Sequence, residues 1–124
     1  MRNNLRITLI SAGCGLILLC VASGFAQIKV GGYKNVPTDD ETVIDAAEFA
    51  ANAQSDRVSR KIDIETIAKA ERQTVAGANY RICMEVAVGE ENEEPSAQFV
   101  RAIIFYSLKK EFTLKSWVKV KSCV

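Results

Sequence analysis

Five consecutive residues, Gln73-Thr74-Val75-Ala76-Gly77, hold most of this sequence's capacity for contact chemistry. They lie between two alternating segments, where a hairpin loop is ordinarily polar, yet Val75 and Ala76 at the tip are apolar. Gly77 can supply the positive φ that a side chain resists. An exposed apolar tip on a small domain marks a contact surface; the competing reading folds the turn back onto the core. Covalent chemistry has less to draw on. The 124 residues include no histidine, so no Ser-His-Asp or Cys-His machinery and no His-ligated metal site can be assembled from this chain alone. No carboxylate pair stands out from the solvated acids, no glycine-rich phosphate loop is present, and the cysteines lack redox spacing. Neither a metal nor a cofactor is expected, and an enzyme is the least favoured class.

Residues 1–6 carry Arg2 and Arg6 and no acid, and residues 7–26 run for twenty positions without a charge. Ending in Gly24-Phe25-Ala26, this segment reads as a signal peptide over 1–26, cleaved before Gln27, with one domain over 27–124. Cleavage after Ala22 is the nearest competitor. A retained membrane anchor is the alternative, against which Ser11, Gly13, Gly15 and Ser23 dilute the stretch. The apolar run before Cys14 is very short for a lipoprotein signal. The expected location is secreted or periplasmic, with no membrane contact once the signal is gone.

Removal of that segment leaves 98 residues with 14 basic against 15 acidic side chains, a net charge of −1. That balance provides no basic footprint for nucleic acid. Cys14 and Cys20 leave too, so Cys83 and Cys123 remain, 40 positions apart. An even pair in an exported chain is expected to form one disulfide, with two free thiols as the alternative.

The elements that must carry the Gln73–Gly77 loop follow from periodicity. Thr38 and Glu41 have capping-box spacing, and Glu41 to Gln54 is alanine-rich without Gly or Pro, so a helix is expected there. Val43, Ala46, Ala47, Ala50 and Gln54 fall on one side, with Phe49 on a shoulder. From Lys61 the period becomes two; Ile67 breaks it and marks a bulge. Asn79 to Val88 places Tyr80, Ile82, Met84, Val86 and Val88 on one face and Arg81, Cys83 and Glu85 on the other. After the acidic turn Gly89–Pro95, strands are expected at Gln98–Leu108 and Thr113–Val120. In the last, Lys115, Trp117, Lys119 and Lys121 share a face opposite Leu114, Val118 and Val120. A further strand near Gly31–Asn35 can join the sheet. The expected fold is α+β: an antiparallel meander sheet of four to five strands wrapped around one α-helix.

Together these features resemble the cystatin family of cysteine-protease inhibitors. Gln73 to Gly77 fits that family's Q-x-V-x-G hairpin, between the right two strands. Gly31-Gly32 resembles its N-terminal glycine, and Ala47-Glu48-Phe49-Ala50 its helical signature. The resemblance runs from about Val30 to Cys123 and implies a three-part wedge entering the cleft of a papain-like cysteine protease. Its parts would be the N-terminal segment with Val30, Gly31 and Gly32; the loop Gln73, Thr74, Val75, Ala76 and Gly77; and a second hairpin with Leu108 and Phe112 at its tip. A monomer is implied. The alternative is a non-inhibitory secreted module of the same fold.

Two departures stand out. Many cystatins carry Pro-Trp at the second tip, where this chain has Lys109-Lys110-Glu111-Phe112; the single tryptophan, Trp117, falls inside the last strand and is expected to pack there. A Cys83–Cys123 bond would join the third and fifth strands of the expected sheet, roughly 9–10 Å apart across the fourth. That is too far for a bridge, so the bond requires residues 122–124 to curl over the fourth strand.

Overall fold

The computed structural model describes residues 31–124, so the expected signal peptide, Val30, Cys14 and Cys20 lie outside the described residues. The elements are β1 (Lys34–Val36), α1 (Glu41–Val58), β2 (Lys61–Val75), β3 (Gly77–Gly89), β4 (Ser96–Tyr106) and β5 (Phe112–Val120). All five strands are antiparallel neighbours in the order β1-β2-β3-β4-β5, and α1 lies across one face. This is the expected meander, with its fifth strand at Lys34–Val36.

The helix begins one residue after its cap, and the cap is Asp40, not the expected Thr38. Asp40 Oδ1 accepts from the backbone N–H of Thr42 at 3.0 Å and of Val43 at 3.2 Å. Asp outcompetes a Thr two positions further out because its carboxylate also meets the positive end of the helix dipole. The helix also runs a turn beyond Gln54, to Val58, and stops where Ser59 turns left-handed at φ 54°. Without Gly or Pro to end it earlier, the last turn forms and is closed by Ser59 and Arg60 N–H groups donating to Ser55 O.

Its inner face is Val43, Ala46, Ala47, Ala50 and Ala51, all buried. Such small side chains let the helix axis approach the sheet closely, so the core volume comes from the strands. Ile82, Met84, Val86, Val100 and Ile104 are fully buried beneath it, each contributing roughly 1.5–3 kcal/mol by leaving water.

The sheet curls round the helix through irregularities in register. Along β2 the core-facing residues are Ile62, Ile64, Ile67 and Ala70, while their partners Val88, Val86, Met84 and Ile82 step evenly by two. Each step of three on β2 coincides with a register shift, between Ile64 and Thr66 and between Ile67 and Lys69. The expected bulge at Ile67 is thus a pair of irregularities flanking it, which bend the longest strand.

A third irregularity overturns the expected faces of the last strand. Leu114 pairs with Ile104 and Ser116 with Ile103, so Lys115 is the extra residue. Beyond it the alternation is inverted: Trp117 pairs with buried Ala102 and packs on the core, on the same face as Leu114. Val118 is left exposed on the other face.

Candidate functional site

The Q-x-V-x-G segment is less a loop than the end of two paired strands. Pairing on β2 and β3 continues through Gln73–Asn79, Thr74–Ala78 and Val75–Gly77, leaving Ala76 alone at the tip. The expected hairpin is therefore a stiff spike. Asn79 Nδ2 donates to Gln73 Oε1 at 3.0 Å across the base, so Gln73 is half-buried in a strand-to-strand bond. Thr74 and Ala76 are exposed and Val75 is half-exposed.

Gly77 is the structural necessity of the spike. Its φ is 101°, in the region that disfavours side chains. A Cβ there would overlap the carbonyl oxygen of Tyr106 and lie 3.2 Å from the Phe105 ring. Tyr106 is the last residue of β4, so this close approach sets the first hairpin against the root of the second.

The second hairpin is closed by its own backbone. Ser107 N–H donates to Glu111 O at 2.9 Å, Lys110 N–H donates to Ser107 O at 2.9 Å, and Glu111 N–H donates to Ser107 Oγ at 3.1 Å. Lys110 takes a positive φ of 63° to make the turn. Leu108 projects from it, 79% exposed. Phe112, expected at the tip, lies instead beneath the loop. Its ring sits 4.7 Å from that of Tyr106 and 5.6 Å from that of Phe49 on the helix. An aromatic ring at the first residue of a strand next to the helix shoulder buries more surface inward than it could at a charged tip.

The N-terminal segment reaches the same end. β1 pairs with β2 from Lys34–Arg72 to Val36–Ala70. The antiparallel register carries the chain backwards from Lys34 to Gly31 as β2 runs forwards to Val75. Gly31 and Gly32 are exposed, with no atom within 4 Å of where a side chain would start. Tyr33 is anchored differently: the Arg81 guanidinium lies over its ring, 4.0 Å from the centroid. Arg81 also donates to Glu71 on the neighbouring strand, and Lys69 approaches the same carboxylate at 3.4 Å. The hydrogen bond from Arg81 holds Glu71 below the usual carboxylate range, against the opposing effect of burial.

The structure thus brings Gly31, Gly32, Thr74, Val75, Ala76 and Leu108 to one end of the sheet, with Gln73, Gly77 and Phe112 as their supports. Asn79, Tyr106 and Arg81 belong to these supports and were not among the expected site residues. Asn79 had a signal: it mirrors Gln73 across Ala76, the tip of the hairpin.

Cys83 and Cys123 are bridged, with Cα atoms 5.6 Å apart. Residues past Val120 fold back over β4 to make the bond, as the spacing of the strands demands. Among the described residues no group of three or more His, Cys, Asp or Glu side chains converges to hold a metal. No helix among them is long and apolar enough to cross a membrane. What the site can do is present a stiff, partly apolar edge to a complementary cleft.

Comparison with known proteins agrees with this fold. Residues 31–121 match the family described as Cystatin domain. A cystatin-1 of Chilobrachys guangxiensis is 35% identical over 78 residues, covering 60% of this chain and 58% of the relative. A cystatin-1 of Zea mays is 34% identical over 67 residues, covering 52% and 50%. The matched chain thus spans about half the length of these curated relatives. The fold is similar to that of a salivary cystatin from the soft tick Ornithodoros moubata, with a TM-score of 0.61 and 18% identity over 73% of this chain and 97% of that one. It is also similar to dimeric human cystatin F, with a TM-score of 0.62 and 15% identity over 82% and 95%. With the family match covering nearly all the described residues, and one helix packed on a five-stranded antiparallel sheet as in cystatin structures, the chain belongs to the cystatin family, a family of protease inhibitors and not of enzymes.

Proposed function

We propose that this chain is a reversible inhibitor of papain-like cysteine proteases, secreted or periplasmic after loss of residues 1–26, and acting as a monomer. The observation that carries the reading is the close approach of Gly77 to Tyr106, which locks the two hairpins side by side into one edge. Such an edge can enter a cleft and exclude substrate without offering a bond to the catalytic thiol. It loses little conformational entropy on docking, because pairing runs to Val75 and the second turn is closed by three hydrogen bonds.

Within that edge the parts differ in role. Val75, Ala76 and Thr74 make the central contact, and Gln73 and Gly77 hold their backbone in place. Leu108 is the apolar contact of the second hairpin, where burial of its side chain stabilises the complex by roughly 1.5–3 kcal/mol. Phe112 supports that hairpin from below. Gly31 and Gly32 let the preceding segment bend into the cleft, with Val30 as its apolar anchor.

Titration of the purified chain 27–124 against papain tests the proposal. Inhibition that is relieved on dilution is expected. No inhibition at micromolar protein overturns it and favours the non-inhibitory binding module, whose support is the charged Lys109-Lys110-Glu111 stretch beside Leu108.

A further inference from the structure

We infer that Arg81 is a positioning residue for the N-terminal segment, fixing through its stacking on Tyr33 where Gly31 and Gly32 leave the sheet. The inference rests on the inhibitor reading and adds to it a residue outside the three contacting segments.

The argument starts from how little holds the segment. β1 is three residues long, and of these Lys34 and Asn35 are exposed, leaving Val36 alone against the core. Its last backbone pair is Lys34 with Arg72. Before Lys34 the chain meets Tyr33, then two glycines with nothing within 4 Å of their missing side chains. Among the described residues, Tyr33 is therefore the last side chain that the body of the protein grips before Gly31 and Gly32. The grip on Tyr33 therefore sets where Gly31 and Gly32 leave the sheet.

The grip is specific to an arginine held in place. Glu71 pairs with Asn35 of β1 on one side and with Arg81 of β3 on the other, so the three residues form one row across the sheet. Arg81 reaches back along this row over β2, and its Nη2 donates to the Glu71 carboxylate, whose side chain is only 13% exposed. Fixing the edge of the guanidinium leaves its flat face for the Tyr33 ring, 4.0 Å away. A planar, delocalised cation can pair at its rim and stack on its face at once; a lysine cannot. Lys69 approaches the other oxygen of the same carboxylate at 3.4 Å, so Glu71 is held by two cations.

Two variants of the chain 27–124, Arg81→Gln and Tyr33→Leu, test this together with a chain beginning at Tyr33. Affinity is read against papain with its catalytic thiol carboxymethylated, and segment order from the heteronuclear NOE of the Gly31 and Gly32 amides in the free protein. Arg81→Gln in the full chain is expected to weaken binding by roughly fivefold, the scale of one cation–π contact. In the chain beginning at Tyr33 the same substitution is expected to change nothing, because the segment it positions is gone. The Gly31 and Gly32 NOE values are expected to fall in both variants while the Arg72 amide stays protected from exchange. An equal loss of affinity with and without residues 27–32 would show a merely structural role and overturn the inference, as would unchanged NOE values. Failure of the unaltered chain to bind would instead remove the inhibitor reading and the contact role with it, while the NOE comparison would still decide whether Arg81 orders the segment.

Discussion

The carbonyl oxygen of Tyr106 occupies the space that a Cβ on Gly77 would need, so the two hairpins of the edge meet at a point only glycine can fill. The φ of 101° at Gly77 adds a backbone penalty to the steric one. Gly77→Ala is therefore expected to cost about 1–3 kcal/mol of stability and to loosen both hairpins. Urea unfolding gives the first figure; titration against papain should show weaker inhibition at temperatures where the variant remains folded. An unchanged midpoint with unchanged inhibition would mean that the hairpins are not locked through this contact.

Leu108 and Phe112 lie four residues apart and should behave oppositely. Leu108 is mostly exposed, so Leu108→Ala is expected to leave stability within about 0.5 kcal/mol while weakening inhibition by about tenfold or more. Phe112 packs against Tyr106 and Phe49, and Phe112→Ala should cost about 2–3 kcal/mol, below a fully buried phenylalanine. Measuring both quantities for both variants separates contact from support. A stability loss at Leu108 matching that at Phe112 would contradict the assignment.

These two residues also show what could and could not be read from the sequence. Alternation identified the core face of β3, since Tyr80, Ile82, Met84 and Val86 follow an uninterrupted period of two. It failed in β5, where the extra residue Lys115 inverts the faces and turns Trp117 inward. Nothing local distinguishes a bulged lysine from a paired one; the shift shows only in the pairing with Ile103 and Ile104 on the neighbouring strand. The placement of Phe112 failed for a similar reason. Its inward packing depends on Phe49, which is distant in sequence and arrives only once the helix is laid on the sheet. The Gln73–Gly77 hairpin was legible because it is local, and Asp40 could have been recognised as the cap by its position directly before the helix.

Glu71 sets a pH dependence. The hydrogen bond from Arg81, with the positive charges of Arg81 and Lys69, lowers its pKa from the ordinary value of 4.5 despite some opposing burial. A carboxylate whose folded pKa lies below its unfolded one stabilises above the unfolded value and loses that contribution as the pH falls through the folded value. Glu71→Gln should therefore be less stable than the unaltered chain at neutral pH, by about 1 kcal/mol for a partly exposed pair. The gap should close as the pH drops below 4.5. Chemical unfolding across that range checks it, and a pH-independent gap would mean the pairing with Arg81 is not its cause.

The Cys83–Cys123 bridge should govern stability and leave the binding edge alone. It closes a span of 40 residues, for which chain entropy gives a stabilisation of about 4 kcal/mol. Cys83 lies on the sheet face turned away from the helix and is 7% exposed. The bond ties residues beyond β5 across β4, six positions along β3 from Gly77. Neither the Gln73–Asn79 bond nor the Gly77–Tyr106 contact passes through it. Replacing both cysteines with serine removes the crosslink without leaving a free buried thiol. The double variant should unfold at markedly lower urea concentration, yet inhibit papain with the same constant at low temperature, where it is still folded. If inhibition fell while the fold persisted, the bridge would be acting on the binding edge, and the sheet would have to transmit strain along β3 from Cys83 to Asn79.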